Sequence, residues 1–196
     1  DNQTRQNTWV SNYYGNSNNP VGRLSAPDFL RKDVALGTNI LFKKTDGRAY
    51  ESVEEDASRY LVRKYAYTGV SYTTQNVTDE KSLKLAKSMR ANSDANWIFY
   101  RLSDMLLIKA EALIQRSPED YPAAFTMINI VNKRANDVTS VSRSDTLKMA
   151  DYIQTKAAME DLLMEERHRE FLFEGKRWFD LVRVSRRDGN TNRLVT

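Results

Sequence analysis

WIFYRLSDMLLIKAEAL, residues 97–113, and AFTMINIVNKRA, residues 124–135, are the stretches of this chain that decide its fold. In the first run Leu102, Leu106, Ala110 and Leu113 recur at i, i+4, i+8 and i+11. That spacing stacks them on one face and predicts a helix over 98–116. Ser117-Pro118-Glu119-Asp120 then forms a corner. Ser117 is expected to cap the next helix, Pro118 to take its first position where a missing N–H costs nothing, and Asp120 to sit where a capping-box acid belongs. The second run repeats the pattern with Tyr121, Ala124, Ile128, Val131 and Ala135. The two apolar stripes are therefore expected to close on each other as an antiparallel hairpin.

Working outward, a Ser/Thr/Val-rich loop over 137–145 precedes a third predicted helix over 151–174, interrupted by Gly175. That glycine either ends the helix in a left-handed conformation or admits a close neighbour. A further helical turn or two over 177–184 carries Trp178, Phe179, Leu181 and Val182. Upstream, RYLVRKYAY at 59–67 alternates β-branched and aromatic residues and predicts a strand. Residues 68–96 read as a long surface connection with a short helix near 80–89. Residues 1–50, punctuated by Gly15, Pro20, Gly22, Pro27 and Gly37, read as loop with short strands or helical turns. The expected class is mainly α: tetratricopeptide-like helical hairpins with irregular loops and a few short strands. Residues 1–96 form the loop-rich, ligand-facing part and 97–196 the helical scaffold.

Composition narrows the function classes. At 196 residues, 40% apolar and 29% charged, the chain suits one core or a core with an attached lobe. The net charge of +4 comes from 30 basic and 26 acidic residues interspersed along the chain. No face of concentrated positive charge is implied, so no nucleic acid is expected. Cysteine is absent and His168 is the single histidine, which excludes thiolate zinc sites, thiol nucleophiles and His-pair metal sites. No phosphate-binding glycine loop or G-x-S-x-G run occurs, so no cofactor is expected. The chain opens on Asp1 and has no apolar run near 18 residues; a targeting signal is expected to lie outside it.

Trp97 and Arg101 precede an acidic-apolar helix that ends in Ala-Glu111-Ala, and the next helix carries an Ile-Asn pair and the Arg134-Ala pair. LLMEERHREFLFEGKRWFDLVR, residues 162–183, adds the Glu166-Arg167 pair, Glu170-Phe, Glu174-Gly175, Arg177 and the Asp180-Leu-Val-Arg183 run. In order and spacing these two segments together resemble the SusD/RagB family of surface glycan-binding lipoproteins. The resemblance covers about residues 97–183 and implies a tetratricopeptide-like scaffold from the C-terminal portion of a longer protein. It also implies capture of a glycan at the extracellular face of the outer membrane and delivery to a SusC-like TonB-dependent transporter. The membrane attachment would be a lipid anchor outside this chain.

Residue by residue, two chemistries compete. The run from Glu165 to Arg183 is dense in carboxylates, which acid/base glycoside chemistry would need. Its spacing suits a structural ladder better: Glu166/Glu170 and Glu170/Glu174 repel at i, i+4, while Arg167/Glu170, Glu174/Arg177 and Asp180/Arg183 attract at i, i+3. Part of it is expected to tie helices together through Arg–carboxylate forks. No catalysis is expected. Trp97, Trp178 and Phe179 fall within helical patterns or at a helix start and are expected in the core. Trp9, Tyr13 and Tyr14 show no such period, and Asn12, Asn16, Asn18 and Arg23 lie close in sequence. Aromatic faces for sugar C–H groups beside amides and a guanidinium for hydroxyls make Trp9, Tyr13, Tyr14, Asn16 and Arg23 the candidate ligand contacts. The alternative is a tetratricopeptide-type protein-interaction module with no sugar site.

Overall fold

The computed structural model describes residues 8–15, 22–27, 30, 41–43, 46–56, 59–72, 85–91, 95–136, 147–152 and 154–194. The chain is mainly helical and divides into two compact units. One comprises residues 1–99 and 133–146, the other 100–132 and 147–196. Among the described residues no helix is long and apolar enough to cross a membrane.

The first unit holds α1 (Thr8–Tyr14), β1 (Ser25–Ala26), α2 (Gly47–Ser52), β2 (Val53–Asp56), β3 (Arg59–Val62), β4 (Tyr67–Tyr72) and β5 (Leu85–Met89). β3 lies between β1 and β2, antiparallel to both, with Leu61 opposite Ser25 and Glu54; β4 pairs with β5. Asp46 starts α2 by accepting from the Arg48 N–H at 3.0 Å, the role an N-cap carboxylate plays. Two expectations change. The strand predicted over 59–67 is broken at 64–66 by a turn in which the Ala66 N–H donates to the Arg63 carbonyl at 3.0 Å, so its two halves belong to different sheets. The helix predicted near 80–89 is a strand where it is described, because Leu85–Met89 gains a pairing partner in β4 that local propensity does not register.

The second unit is built on α3 (Leu102–Gln115), α4 (Tyr121–Asn136), α5 (Lys156–Glu170) and α6 (Arg177–Asp188), with α4 running past the unit boundary. Its core joins Leu107, Ala110 and Ile114 of α3, Ala124, Phe125, Ile128 and Val131 of α4, Met159, Leu162 and Leu163 of α5, and Phe171. The stripe predicted on α4 is buried as expected apart from a half-buried Tyr121. The stripe predicted on α3 is rotated: Leu102 is 75% exposed, Leu106 and Leu113 are half-buried, and Ser103 and Asp104 point inward. α3 is apolar on nearly every side, so periodicity admits several solutions. The ion pairs of Asp104 decide among them.

The helix ends also shift. α3 begins four residues later than the predicted start, and Asp120 rather than Ser117 caps α4, its Oδ1 accepting from the Ala123 N–H at 3.0 Å. α5 is shorter than predicted. Thr155 caps it through Ala158, and its end passes into a 171–175 turn where Phe173 (φ 63°) and Gly175 (φ 74°) are left-handed. Gly175 is left-handed, as the first of its two readings expects, but it closes this turn ahead of α6 rather than ending α5, which stops at Glu170. Trp178 and Phe179, expected in the core, are 62% and 72% exposed. On α6 the inward positions go to Asp180, Val184 and Ser185 instead, because Asp180 is drawn to Arg167. The predicted loop at 137–145 lies outside the described residues.

Candidate functional site

α1 gives the candidate ligand residues the helical period that their sequence conceals. Trp9 and Tyr13 stand at i, i+4 on one side with ring centroids 4.4 Å apart and nearly parallel planes, and Trp9 is 70% exposed. Val10 and Tyr14 stand at i, i+4 on the other side, both buried. A helix of seven residues is too short to be stable alone; here Val10 and Tyr14 anchor it. Gly15 ends it at φ 84°, a conformation that costs other residues steric strain.

The chain then returns along the end of α1. The Arg23 N–H donates to the Asn12 carbonyl at 3.0 Å and the Leu24 N–H to the Tyr13 carbonyl at 3.1 Å. Gly22 makes this approach feasible: a Cβ there would press into the Tyr13 carbonyl oxygen and lie 2.8 Å from the Tyr14 carbonyl carbon. The structure thus brings Trp9, Asn12, Tyr13 and Arg23 together, with Asn12 and Arg23 exposed and Tyr13 half-buried. Asn16 and Asn18 lie outside the described residues. Tyr14 is turned the other way. Its ring meets Tyr65 edge-on at 5.1 Å, and Tyr65 stacks on Trp97 at 5.1 Å, so Tyr14 belongs to an aromatic cluster with little free face for a ligand. Trp97 sits at the rim of that cluster, 38% exposed rather than fully in the core. The stacked Trp9–Tyr13 pair offers a flat apolar face, and the backbone bond from Arg23 to Asn12 brings an exposed amide residue and an exposed arginine into the same segment. That suits a sugar ring, whose C–H face and equatorial hydroxyls present the complementary surfaces.

In the second unit the charged run forms a lattice between helices. Arg101, just before α3, donates Nη2 to Glu174 at 2.8 Å and to the Glu170 carbonyl at 2.7 Å, and pairs through Nη1 with Glu170. Arg167 on α5 donates Nε to Asp180 on α6 at 2.8 Å and lies 3.4 Å from Asp104 on α3. Lys176 also pairs with Asp104, and Arg183 joins Asp180 at 2.9 Å and Glu111 on α3. Asp104/Lys176 and Glu111/Arg183 advance by equal steps on their two segments, so α3 and α6 run side by side in the same direction. Glu166, fully buried, accepts from Asn132 of α4 at 3.0 Å and Arg169 at 3.2 Å. Of the three local attractions expected from spacing, Asp180/Arg183 forms, whereas Glu170 and Glu174 turn to Arg101 and Arg167 turns to Asp104 and Asp180. Arg177 instead donates to the Met164 carbonyl at 3.1 Å, and Arg134 is exposed on α4.

Asp104, Lys176 and Phe171 are members of this lattice that spacing rules did not single out. The Phe171 ring lies under Arg101, Arg167 and Lys176 at 4.8, 4.9 and 4.6 Å, a contact that offsets part of the cost of burying cations. An aspartate placed two positions into an apolar helix was the available signal for Asp104. His168 sits half-buried beside this lattice; burial, then the charges of Arg177 and Arg169, push its pKa down to about 4, so it is neutral at pH 7. The carboxylates here already hold cations, which leaves the lattice a structural role.

The SusD family model matches residues 3–196. A SusD-like protein of Formosa agariphila is 36% identical over 114 residues, which cover 56% of this chain and 22% of that protein. The chain therefore spans under a quarter of that relative's length. The crystal structure of a SusD superfamily protein from Bacteroides fragilis aligns with 88% of this chain and 34% of its own, at a TM-score of 0.45 and 20% identity. With the family's pattern of residues matched along nearly its whole length, the chain belongs to the SusD family.

Proposed function

We propose that this chain belongs to a non-catalytic glycan-binding protein of the cell surface that captures an oligosaccharide and passes it to a SusC-like TonB-dependent transporter. Membership of the SusD family supports the general role in nutrient uptake. The observation that carries the binding step is the Trp9–Tyr13 stack with its exposed Trp9 face, on a helix whose Asn12 is joined through its backbone to Arg23. On this reading the helical unit is scaffold, the surface of α1 is where sugar docks, and a lipid anchor outside this chain holds the protein at the extracellular face of the outer membrane. Calorimetric titration with candidate oligosaccharides tests it. Trp9→Ala and Tyr13→Ala should each weaken binding by about 1–2 kcal/mol, roughly five- to thirtyfold, as loss of an aromatic anchor does. Unchanged affinity in both variants would remove α1 from the site.

A protein-interaction role for the helical unit has an observation of its own. Leu102, Met105 and Ile108 lie along one exposed side of α3, an apolar stripe of the kind that marks partner contact. We assign that side to the transporter. Leu102→Glu should reduce co-purification with the transporter and leave sugar affinity unchanged; the reverse pattern would sink the assignment.

A further inference from the structure

A cavity of about 310 Å³ opens in the first unit where α2 meets the ends of β3 and β4. It is at the small end of the range for small-molecule sites, about 300–1,000 Å³, and has room for one sugar residue. Cations outnumber carboxylates on its wall. Arg48, Arg63 and Lys64 line it, against one carboxylate, Glu51, among the described lining residues. The two arginines are 5% and 3% exposed, far from the usual solvated state of that side chain.

Both guanidiniums are fixed from behind. Asp46 accepts from Arg48 Nε at 2.9 Å and Nη2 at 2.7 Å. Glu54 accepts from Arg63 Nε at 2.6 Å, and the Tyr14 carbonyl accepts from Arg63 Nη1 at 3.2 Å. Asp46 and Glu54 are outside the wall, so they orient the cations without occupying the cavity. Ser52 and Tyr67 add hydroxyls to the lining; burial, then the neighbouring Glu54 carboxylate, holds the Tyr67 phenol well above its ordinary pKa and keeps it neutral. Planar guanidiniums held in one orientation match the planar oxygens of a carboxylate or the oxygens of a sulfate. The bond from Arg63 to the Tyr14 carbonyl ties the cavity to the C-terminal end of α1, the helix that presents Trp9 and Tyr13.

We propose that this cavity is a subsite for an anionic substituent, carboxylate or sulfate, on a sugar of the captured glycan. The proposal rests on the glycan-binding reading and gives it a substrate class: acidic rather than neutral glycans. Asp46, Glu54 and Glu51 balance the formal charge of Arg48, Arg63 and Lys64, so selectivity comes from oriented donors at short range rather than from a net field, and added salt weakens it only in part.

NMR titration of the whole chain with methyl glucuronide, glucose 6-sulfate and methyl glucoside tests this, with the first two probes separating carboxylate from sulfate. The expected result is at least tenfold tighter binding of one or both charged sugars than of the neutral one. Lys64→Gln should reduce that preference severalfold. Glu51→Gln, which removes the carboxylate from the wall, should strengthen charged-sugar binding severalfold, a gain that misfolding could not produce. Trp9→Ala separates the two readings. A charge preference that survives in Trp9→Ala but falls in Lys64→Gln supports the cavity. Equal binding of charged and neutral sugars, with Trp9→Ala still weakening both, overturns the cavity alone. A charge preference untouched by Lys64→Gln and Glu51→Gln also overturns it.

Discussion

Arg167 joins three helices, and its replacement by alanine shows what the lattice contributes. Its guanidinium donates to Asp180 on α6 at 2.8 Å, approaches Asp104 on α3 at 3.4 Å and lies 4.9 Å above the Phe171 ring, with all three charged groups at most 5% exposed. Removing one partner from a buried pair costs about 3–5 kcal/mol, mostly the desolvation of the charge left behind. Here Asp104 keeps Lys176 and Asp180 keeps Arg183, which puts the loss near the low end, about 3 kcal/mol. At roughly 2–4 °C per kcal/mol for a chain of this size, Tm should fall by about 6–12 °C. Far-UV ellipticity is a suitable probe because the helices of the second unit dominate it. Arg167→Lys should lose most of the same stability, since one ammonium cannot span both carboxylates as a planar fork does. A drop under about 2 °C for Arg167→Ala, or full stability in Arg167→Lys, would refute the assignment of Arg167 as the tie between α3, α5 and α6.

Two other perturbations follow from particular residues. His168 is held neutral, with its pKa lowered from 6.5 to about 4 by burial and by Arg177 and Arg169. The unfolded chain therefore binds a proton that the folded chain refuses between those values, so the stability it permits is present above pH 6.5 and is lost as pH falls from there toward 4. Its partial exposure lets water screen the effect to about 1–2 kcal/mol, and urea melts of His168→Gln should show a shallower decline than wild type over that window. Gly22→Ala would drive a methyl group into the Tyr13–Tyr14 backbone, so it should cost about 1–3 kcal/mol and weaken sugar binding along with Trp9→Ala. A Gly22→Ala variant with native Tm and native affinity would show that the return of the chain beside α1 is not what holds the Trp9–Tyr13 face.

Much of the helical unit was legible because its information is local. The stripe on α4 needs only the spacing of Ala124, Ile128 and Val131, and each is buried. What could not be read from spacing is which side of α3 turns inward. Leu102, Leu106, Leu107, Ile108, Leu113 and Ile114 spread round most of the helix, and its one polar strip, Asp104, Glu111 and Gln115, faces neighbouring helices rather than water; the deciding contacts, Asp104 with Arg167 and Lys176, join residues more than sixty positions apart. The same cause explains the misplaced aromatics. Trp178 and Phe179 look like core by composition, yet Asp180 beside them is drawn in by Arg167, and at about 100° per residue a helix that turns Asp180 and Val184 inward swings Phe179 and Trp178 round toward solvent. In the first unit the failure was one of length. α1 spans seven residues, too few for periodicity to stand out, so the pairing of Trp9 with Tyr13 became visible only when Val10, Tyr14 and Gly22 fixed the helix against its neighbours. The cavity was hidden for a third reason: nothing in the spacing around Arg48 and Arg63 marks them as buried, and it is Asp46 and Glu54 that hold them inside. In the helical unit, then, charge pairs across long stretches of sequence choose which side faces in, whereas in the first unit pairs close in sequence, Arg48 with Asp46 and Arg63 with Glu54, hold cations inside; together these choices determine which aromatics and cations remain available to a ligand.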